Sequence, residues 1–257
     1  MAFSGKVALI TGGGSGMGQQ AARNFADSGY KVAIFDVNLA GLQETAKGRA
    51  NVKHWVVDIT DFDAVSTAVR DVEESLGPVD RLYNCAAIMP YGKLLEQDIK
   101  VMHKIASINY GGLINITRAV LPNMITRKRG DFVSFASIAG VVPCMITGAY
   151  SASKAAVCMF SEILYHENKN SGVRFACVCP PAVNTPLLEQ GRSTHWPKML
   201  DISGPPLSSD DVLNAIEVCL GKGKFWVFPD TNSQAAAVLR RLIPGWLWKQ
   251  VHKTEGF

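Results

Sequence analysis

Short, predominantly apolar runs recur along this chain between longer amphipathic stretches, and that alternation constrains the fold more than any other feature. The apolar runs fall at residues 7–10, 31–35, 52–57, 79–83, 131–136, 174–179 and 224–228. A strand with no polar alternation has both faces buried, as in a parallel sheet covered by helices. The intervening stretches at 16–28, 39–47, 61–76, 149–169 and 208–220 read as helices, and two more fill 95–126. The expected fold class is α/β: a Rossmann-type, doubly wound, seven-stranded parallel sheet with helices on both faces. With 257 residues, 47% hydrophobic, and no internal repeat or low-complexity linker, residues 1–257 read as one domain. The Pro-rich stretch 180–206 breaks the alternation, so 186–207 reads as a loop insertion and 232–257 as a helical tail.

The balance of charge excludes some partners. A net charge of +4 with scattered basic residues leaves no phosphate-tracking face, and Arg127-Lys128-Arg129 reads as an exposed helix end. Nucleic acid is therefore not an expected partner. Six cysteines (Cys85, Cys144, Cys158, Cys177, Cys179, Cys219) form no CxxC pair; Cys177 and Cys179 share a strand face. They read as buried small hydrophobes with no metal. Free thiols suggest a reducing, cytoplasmic setting. The first strand starts near Lys6, leaving no room for a signal peptide, and no run of 18 apolar residues spans a membrane.

The turn Thr11-Gly12-Gly13-Gly14-Ser15-Gly16-Met17-Gly18 follows the first strand and opens the first helix. Glycines let the backbone approach a pyrophosphate, and a helix N-terminus offers free N–H groups to it. Asp36 ends the second strand, twenty residues after Gly16. A carboxylate there accepts from the adenosine ribose and repels a 2′-phosphate; Ser15, Val37 and Asn38 supply no cation to reverse that, so NAD is favoured. Asp36 also reads as a helix N-cap, a job Asn38 fills equally well. Asp58, with Ile59 after it, either meets the adenine edge or caps the next helix.

Tyr150 and Lys154 are four apart in a helix and share a face. An ammonium beside a phenol favours the phenolate and brings its proton exchange nearer neutral pH. Ser137, thirteen residues upstream at the end of an apolar strand, places a hydroxyl to hold a substrate oxygen against the phenol. Such a set moves a proton on or off a carbonyl or carbinol oxygen.

The glycine turn, Asp36, Asp58, Asn84-Cys85-Ala86-Ala87, Asn109, Ser137, Tyr150 and Lys154 together resemble the short-chain dehydrogenase/reductase family, over residues 6–186. The resemblance implies Tyr150 as general acid/base, Lys154 as the residue that lowers its pKa and holds the nicotinamide ribose, and Ser137 as the substrate-orienting hydroxyl. It implies that Asn109 positions a proton-relay water. It places Gly12, Ser15, Gly16, Met17, Gly18, Asp36, Asp58, Ile59, Asn84, Ala86, Tyr150, Lys154, Pro180, Val183 and Thr185 around the coenzyme. Two departures stand out: Ala87 replaces a usual glycine, and Pro181 follows Pro180 where the family has Pro-Gly.

Substrate contacts are expected from Met89, Val142, Cys144, Met145, Leu187, Leu188 and Trp196, an apolar set that fits a hydrophobic secondary alcohol or ketone. The expected activity is NAD-dependent alcohol oxidation and ketone reduction. The alternatives are an NADPH-dependent carbonyl reductase and a non-catalytic dinucleotide-sensing scaffold. A homodimer or homotetramer is expected. The tail, with Leu242, Trp246 and Trp248 among Arg240, Arg241, Lys249 and Lys253, reads as a subunit interface or lid, as packing on the protein's own core, or as a peripheral membrane contact. Pro244-Gly245 should divide it into two helices.

Overall fold

The computed structural model describes residues 6–202 and 204–256. Seven strands are present among them: β1 (Val7–Thr11), β2 (Lys31–Asp36), β3 (Val52–Val56), β4 (Arg81–Asn84), β5 (Gly130–Phe135), β6 (Val173–Val178) and β7 (Trp226–Val227). They form one sheet in the order β3-β2-β1-β4-β5-β6-β7, and every adjacent pair is parallel. The chain winds outward from β1 in both directions, so a crevice opens at the carboxyl ends of β1 and β4.

Helices α1 (Gly16–Asp27), α2 (Leu39–Ala46) and α9 (Ser209–Gly221) cover one face; α3 (Phe62–Leu76), α5 (Gly112–Thr126) and α6 (Gly148–Glu167) cover the other. Alternate strand residues feed the two cores. Leu9 belongs to the same core as Val69, Ile116 and Val157, while Ile10 belongs to the other, with Ala22, Leu42 and Ile216. Both faces of each central strand are thus buried, as the predominantly apolar runs require.

Three boundaries differ from the sequence reading. β4 begins at Arg81, two residues late, because Pro78 and Val79 still carry the approach to the ladder. β7 pairs through only Trp226 and Val227, since it is the sheet's edge and meets just the end of β6. The stretch expected to hold two separate helices is a continuous helical path, α4 (Ile99–Ala106), a π turn (Ser107–Gly111) and α5. π turns of this kind are often found at functional sites.

The N-terminal edge of the sheet is tied by charge. Arg81, 1% exposed, pairs with Asp131 at 2.6 Å and with Glu217, and Asp131 also receives Arg174 at 2.6 Å. Arg127 and Arg129 are not an idle basic end, because both close on Asp80, at 3.0 and 3.1 Å.

The insertion after β6 is pinched at its base by a parallel bridge between Val183 and Leu207 and carries α7 (Pro186–Arg192) and α8 (Lys198–Ile202). The tail forms α10 (Thr231–Leu242) and α11 (Pro244–Glu255), divided at Ile243 as Pro244 dictates. Leu247 and Val251 of α11 are buried, and the Glu255 carboxylate accepts from the backbone N–H groups of Lys198 and Met199. No described helix is long and apolar enough to cross a membrane.

Candidate active site

The turn between β1 and α1 is built on absent side chains. Gly12 has a φ of 67°, and a Cβ there would lie 2.9 Å from the Ala86 backbone; one on Gly18 would lie 2.2 Å from the Gly12 carbonyl oxygen. Any larger residue forces the turn off β4 and off its own helix. Ser15 caps α1 in an extended conformation, but its hydroxyl makes no capping bond, so it and the N-terminal amides of α1 face the crevice.

That crevice has a volume of about 300 Å³. Gly12, Ser15, Gly16, Met17, Gly18, Asp36, Asp58, Ile59, Ala86 and Thr185 line it, as expected. Asp36 and Asp58 are its charged lining residues, and no lysine or arginine is among them. Asp36 accepts from the amides of Gly14 and Asn38, both at 3.0 Å, and each oxygen keeps lone-pair capacity for a hydroxyl donor. The competing cap assignments resolve: Asn38 caps α2 and Asp61 caps α3, leaving Asp36 and Asp58 to the crevice. Asp58 is braced by Thr60, which donates through both its amide and its hydroxyl.

Asn84 does not reach the crevice. It is buried behind it and accepts from the Thr11 hydroxyl at 2.7 Å, which in turn accepts from the Ala86 amide at 3.2 Å. A polar side chain pinned between β1 and β4 serves the backbone there. Ala87 needs no glycine conformation; among the described residues only Lys128 and Ile146 take positive φ without being glycine.

A second cavity of about 570 Å³ joins the first at Met17, Cys85, Ala87, Thr185 and Leu187. Ser137, Tyr150 and Lys154 meet in its wall, together with Pro180 and Val183. Ser137 ends the run that follows β5, while Tyr150 and Lys154 lie one turn apart on the buried side of α6. The Ser137 hydroxyl accepts from the Ala139 amide at 3.2 Å, and both it and the Tyr150 phenol line the cavity. The Lys154 ammonium donates to the Phe135 carbonyl at 2.7 Å and lies 5.9 Å from the centre of the Tyr150 ring.

The electrostatics correct one expectation. Burial pushes the Tyr150 phenol up to about 12, and the Ser137 hydroxyl only partly opposes it. Burial likewise pulls the Lys154 amine down to about 8, with neighbouring cysteine sulfurs acting the other way. The ammonium is engaged at the Phe135 carbonyl, so desolvation outweighs the i,i+4 pairing within the protein's own groups.

Asn109 lies in the π turn, 1% exposed, and its amide is fully committed. Its oxygen accepts from the Ile88 amide at 2.9 Å, and its NH₂ group donates to the Ile88 carbonyl and the Ser153 hydroxyl, each at 3.0 Å. The Ser153 hydroxyl donates to the Tyr150 carbonyl at 2.7 Å. This side chain therefore ties the loop after β4 to α6 and has no N–H left for a relay water.

Of the expected substrate contacts, Met89, Val142, Cys144, Leu187 and Leu188 line the larger cavity. Met145 does not, because it sits at the corner of a turn closed by the Thr147 hydroxyl donating to the Cys144 carbonyl, next to Ile146 at a φ of 70°. Trp196 is not among the lining residues either; its indole N–H donates to Asp201 at 2.7 Å, Arg192 lies over its ring, and it packs half-buried against the cluster of Met89, Tyr91, Tyr150 and Leu188. Among the lining residues that the sequence reading did not name, Tyr91 packs edge-on to Tyr150 with ring centres 6.1 Å apart, and Asp230, Asn232, Ser233 and Ala236 bring the start of the tail, read as an interface or lid, into the cavity wall. Their distance along the chain from Tyr150 left no local signal. Cys158 joins Cys177 and Cys179 in a buried cluster with sulfurs within 4.8 Å of one another, below Lys154 on α6.

A glycine turn opening α1, the Asp36 carboxylate at the end of β2 and a Ser-Tyr-Lys cluster in two joined cavities form the arrangement of an oxidoreductase scaffold. The chain belongs to the short chain dehydrogenase family, whose model matches residues 6–196. A short chain dehydrogenase of Pseudocercospora fijiensis is 36% identical over 191 residues, covering 72% of this chain and 62% of that protein. Estradiol 17-beta-dehydrogenase 11 of Rattus norvegicus is 31% identical over 250 residues, covering 94% and 80%. Among solved structures, a short chain dehydrogenase/reductase from Burkholderia phymatum in complex with NAD superposes with a TM-score of 0.85 at 27% identity, covering 96% of each chain.

Proposed function

We propose that this protein is an NAD-dependent oxidoreductase that interconverts a hydrophobic secondary alcohol and its ketone. The observation that carries the reading is the meeting of Ser137, Tyr150 and Lys154 in the wall of an apolar cavity that opens onto the Asp36 crevice. The residues fit the coenzyme: Gly12 and Gly18 admit no Cβ, the Ser15 hydroxyl and α1 amides face the crevice, and its charged lining is wholly acidic. Acidic lining favours a free ribose 2′-hydroxyl over a 2′-phosphate, hence NAD over NADP. Thr185, set 3.3 Å from where a Gly16 Cβ would stand, closes the crevice over the α1 N-terminus.

Bound NAD supplies the hydride acceptor and a positively charged ring. The chain's own residues handle the proton. Ser137 holds the substrate oxygen in hydrogen-bond reach of the Tyr150 phenol. In reduction Tyr150 donates its proton to the forming alkoxide, and burial keeps that proton in place at neutral pH. In oxidation the phenolate takes the hydroxyl proton, with the Lys154 ammonium stabilising the anion. The larger cavity offers Lys154 and Asp230 as its charged lining residues, too few to anchor an acidic substrate, so apolar surface selects the ligand. The resemblance to a dehydrogenase named for estradiol supports a bulky apolar alcohol.

The outward side chains Met159 and Ile163, 58% and 50% exposed and four apart on α6, support a homo-oligomer, read out as dimer or tetramer by analytical ultracentrifugation. For the chemistry, Tyr150→Phe should lower kcat by at least about 10³ while calorimetry shows NAD binding unchanged within about twofold. Substantial residual turnover in that variant refutes the assignment.

A further inference from the structure

The α10–α11 corner carries a surface that the fold leaves bare. Leu242 is 71% exposed, Val238 51%, Trp246 50% and Ile243 43%, in a stretch of nine residues. Val238 and Leu242 lie on one face of α10, and Trp246 shares a face of α11 with Lys249 and Lys253. The opposite side of α11 is fixed to the body by Leu247, Val251 and Glu255. From Thr231 to Thr254 the chain carries Arg240, Arg241, Lys249 and Lys253 and no acidic residue. None of the four cations joins a salt bridge among the described residues.

We propose that this corner docks the enzyme on an anionic lipid bilayer, with Leu242, Ile243 and Trp246 inserted at the headgroup boundary and the four cations against lipid phosphates. An uncompensated basic rim around exposed leucine and tryptophan suits an anionic interface. The same composition disfavours a second copy on this patch, because a two-fold contact sets four cations against four. The position has a use. Asn232, Ser233 and Ala236, on the same helix as Val238 and Leu242, line the 570 Å³ cavity. An apolar alcohol dissolved in the bilayer would meet the enzyme at the helix that walls its binding site. The inference thus deepens the reading of that cavity as the seat of an apolar alcohol, but vesicle binding is measured apart from turnover, so either fails without the other.

The test is co-sedimentation of the full-length protein with vesicles of phosphatidylcholine and phosphatidylglycerol, and with phosphatidylcholine alone. The wild type should pellet with the anionic vesicles, less with the neutral ones, and release in high salt. The double variants Leu242→Asp/Trp246→Asp and Arg241→Glu/Lys249→Glu should each weaken binding about tenfold or more. Both should keep wild-type turnover of a water-soluble alcohol. Wild type that stays in the supernatant overturns the proposal. So do variants that pellet like wild type, or variants that shift the sedimentation mass without changing vesicle binding, which would mark a subunit contact.

Discussion

Lys154→Met should make the protein more stable at neutral pH while removing its activity. The Lys154 amine is 3% exposed, and burial lowers it from the ordinary 10.5 to about 8. That gap corresponds to a cost on the order of 3 kcal/mol for holding the ammonium in the fold. Methionine keeps the length of the side chain without the charge. It also orphans the Phe135 carbonyl, now bonded at 2.7 Å, at a cost of about 1 kcal/mol. The net gain at pH 7 is therefore about 2 kcal/mol. The pH dependence follows from the direction of the shift. Between about 8 and 10.5 the unfolded chain binds the proton that the folded chain has released, so raising the pH stabilises the wild type across that window. Below it the full cost is present. About 2 kcal/mol of the variant's advantage should vanish between roughly pH 7 and pH 9.5. Urea denaturation of both proteins at the two pH values reads this directly. A variant no more stable than wild type at pH 7, or an advantage that persists undiminished at pH 9.5, refutes the reasoning.

Asp36→Ala should lower the ratio of kcat/KM with NAD to that with NADP by about tenfold or more, since it removes the carboxylate proposed to meet the ribose; an unchanged ratio contradicts that role. Asp131→Ala leaves the Arg81 guanidinium, 1% exposed, without its 2.6 Å partner, and should cost about 3–5 kcal/mol in urea denaturation with coenzyme preference unaltered. Asn109→Ala strips the Ile88 amide and carbonyl of their partner and should cost about 1–3 kcal/mol. It should also loosen the loop after β4, seen as faster amide exchange there.

Local signals made the scaffold legible. Each central strand is announced by its own apolar run, the coenzyme turn by glycines within one loop, and the Tyr150–Lys154 pair by one helical turn. Features that depend on packing between distant segments stayed hidden. Asn84 carries the same side chain whether it meets a ligand or Thr11, and only the pairing of β1 with β4 decides. Asn109 spends its amide on Ile88 and Ser153, from two other elements, and no spacing reveals that. Trp196 reads as an apolar contact, yet its indole N–H is bonded to Asp201 and its ring lies beneath Arg192. The α10 wall lies some eighty residues beyond Tyr150 and has no motif.

The phenol illustrates most clearly what spacing alone misses. An i,i+4 lysine argues for an acidified tyrosine, yet the same burial that brings the two together pushes the phenol up to about 12 and the amine down to about 8. Desolvation favours the neutral form of each, and the ammonium is engaged at the Phe135 carbonyl. The protein alone thus holds an acid, suited to protonating an alkoxide. A base in the same place needs further positive charge near the ring. Among the described residues that line this cavity Lys154 is the one cation, already engaged at the Phe135 carbonyl, and the oxidised coenzyme proposed above would add the further charge. Base strength would then appear only when the hydride acceptor is in place, and proton abstraction in its absence is suppressed by the low polarity of the cavity itself.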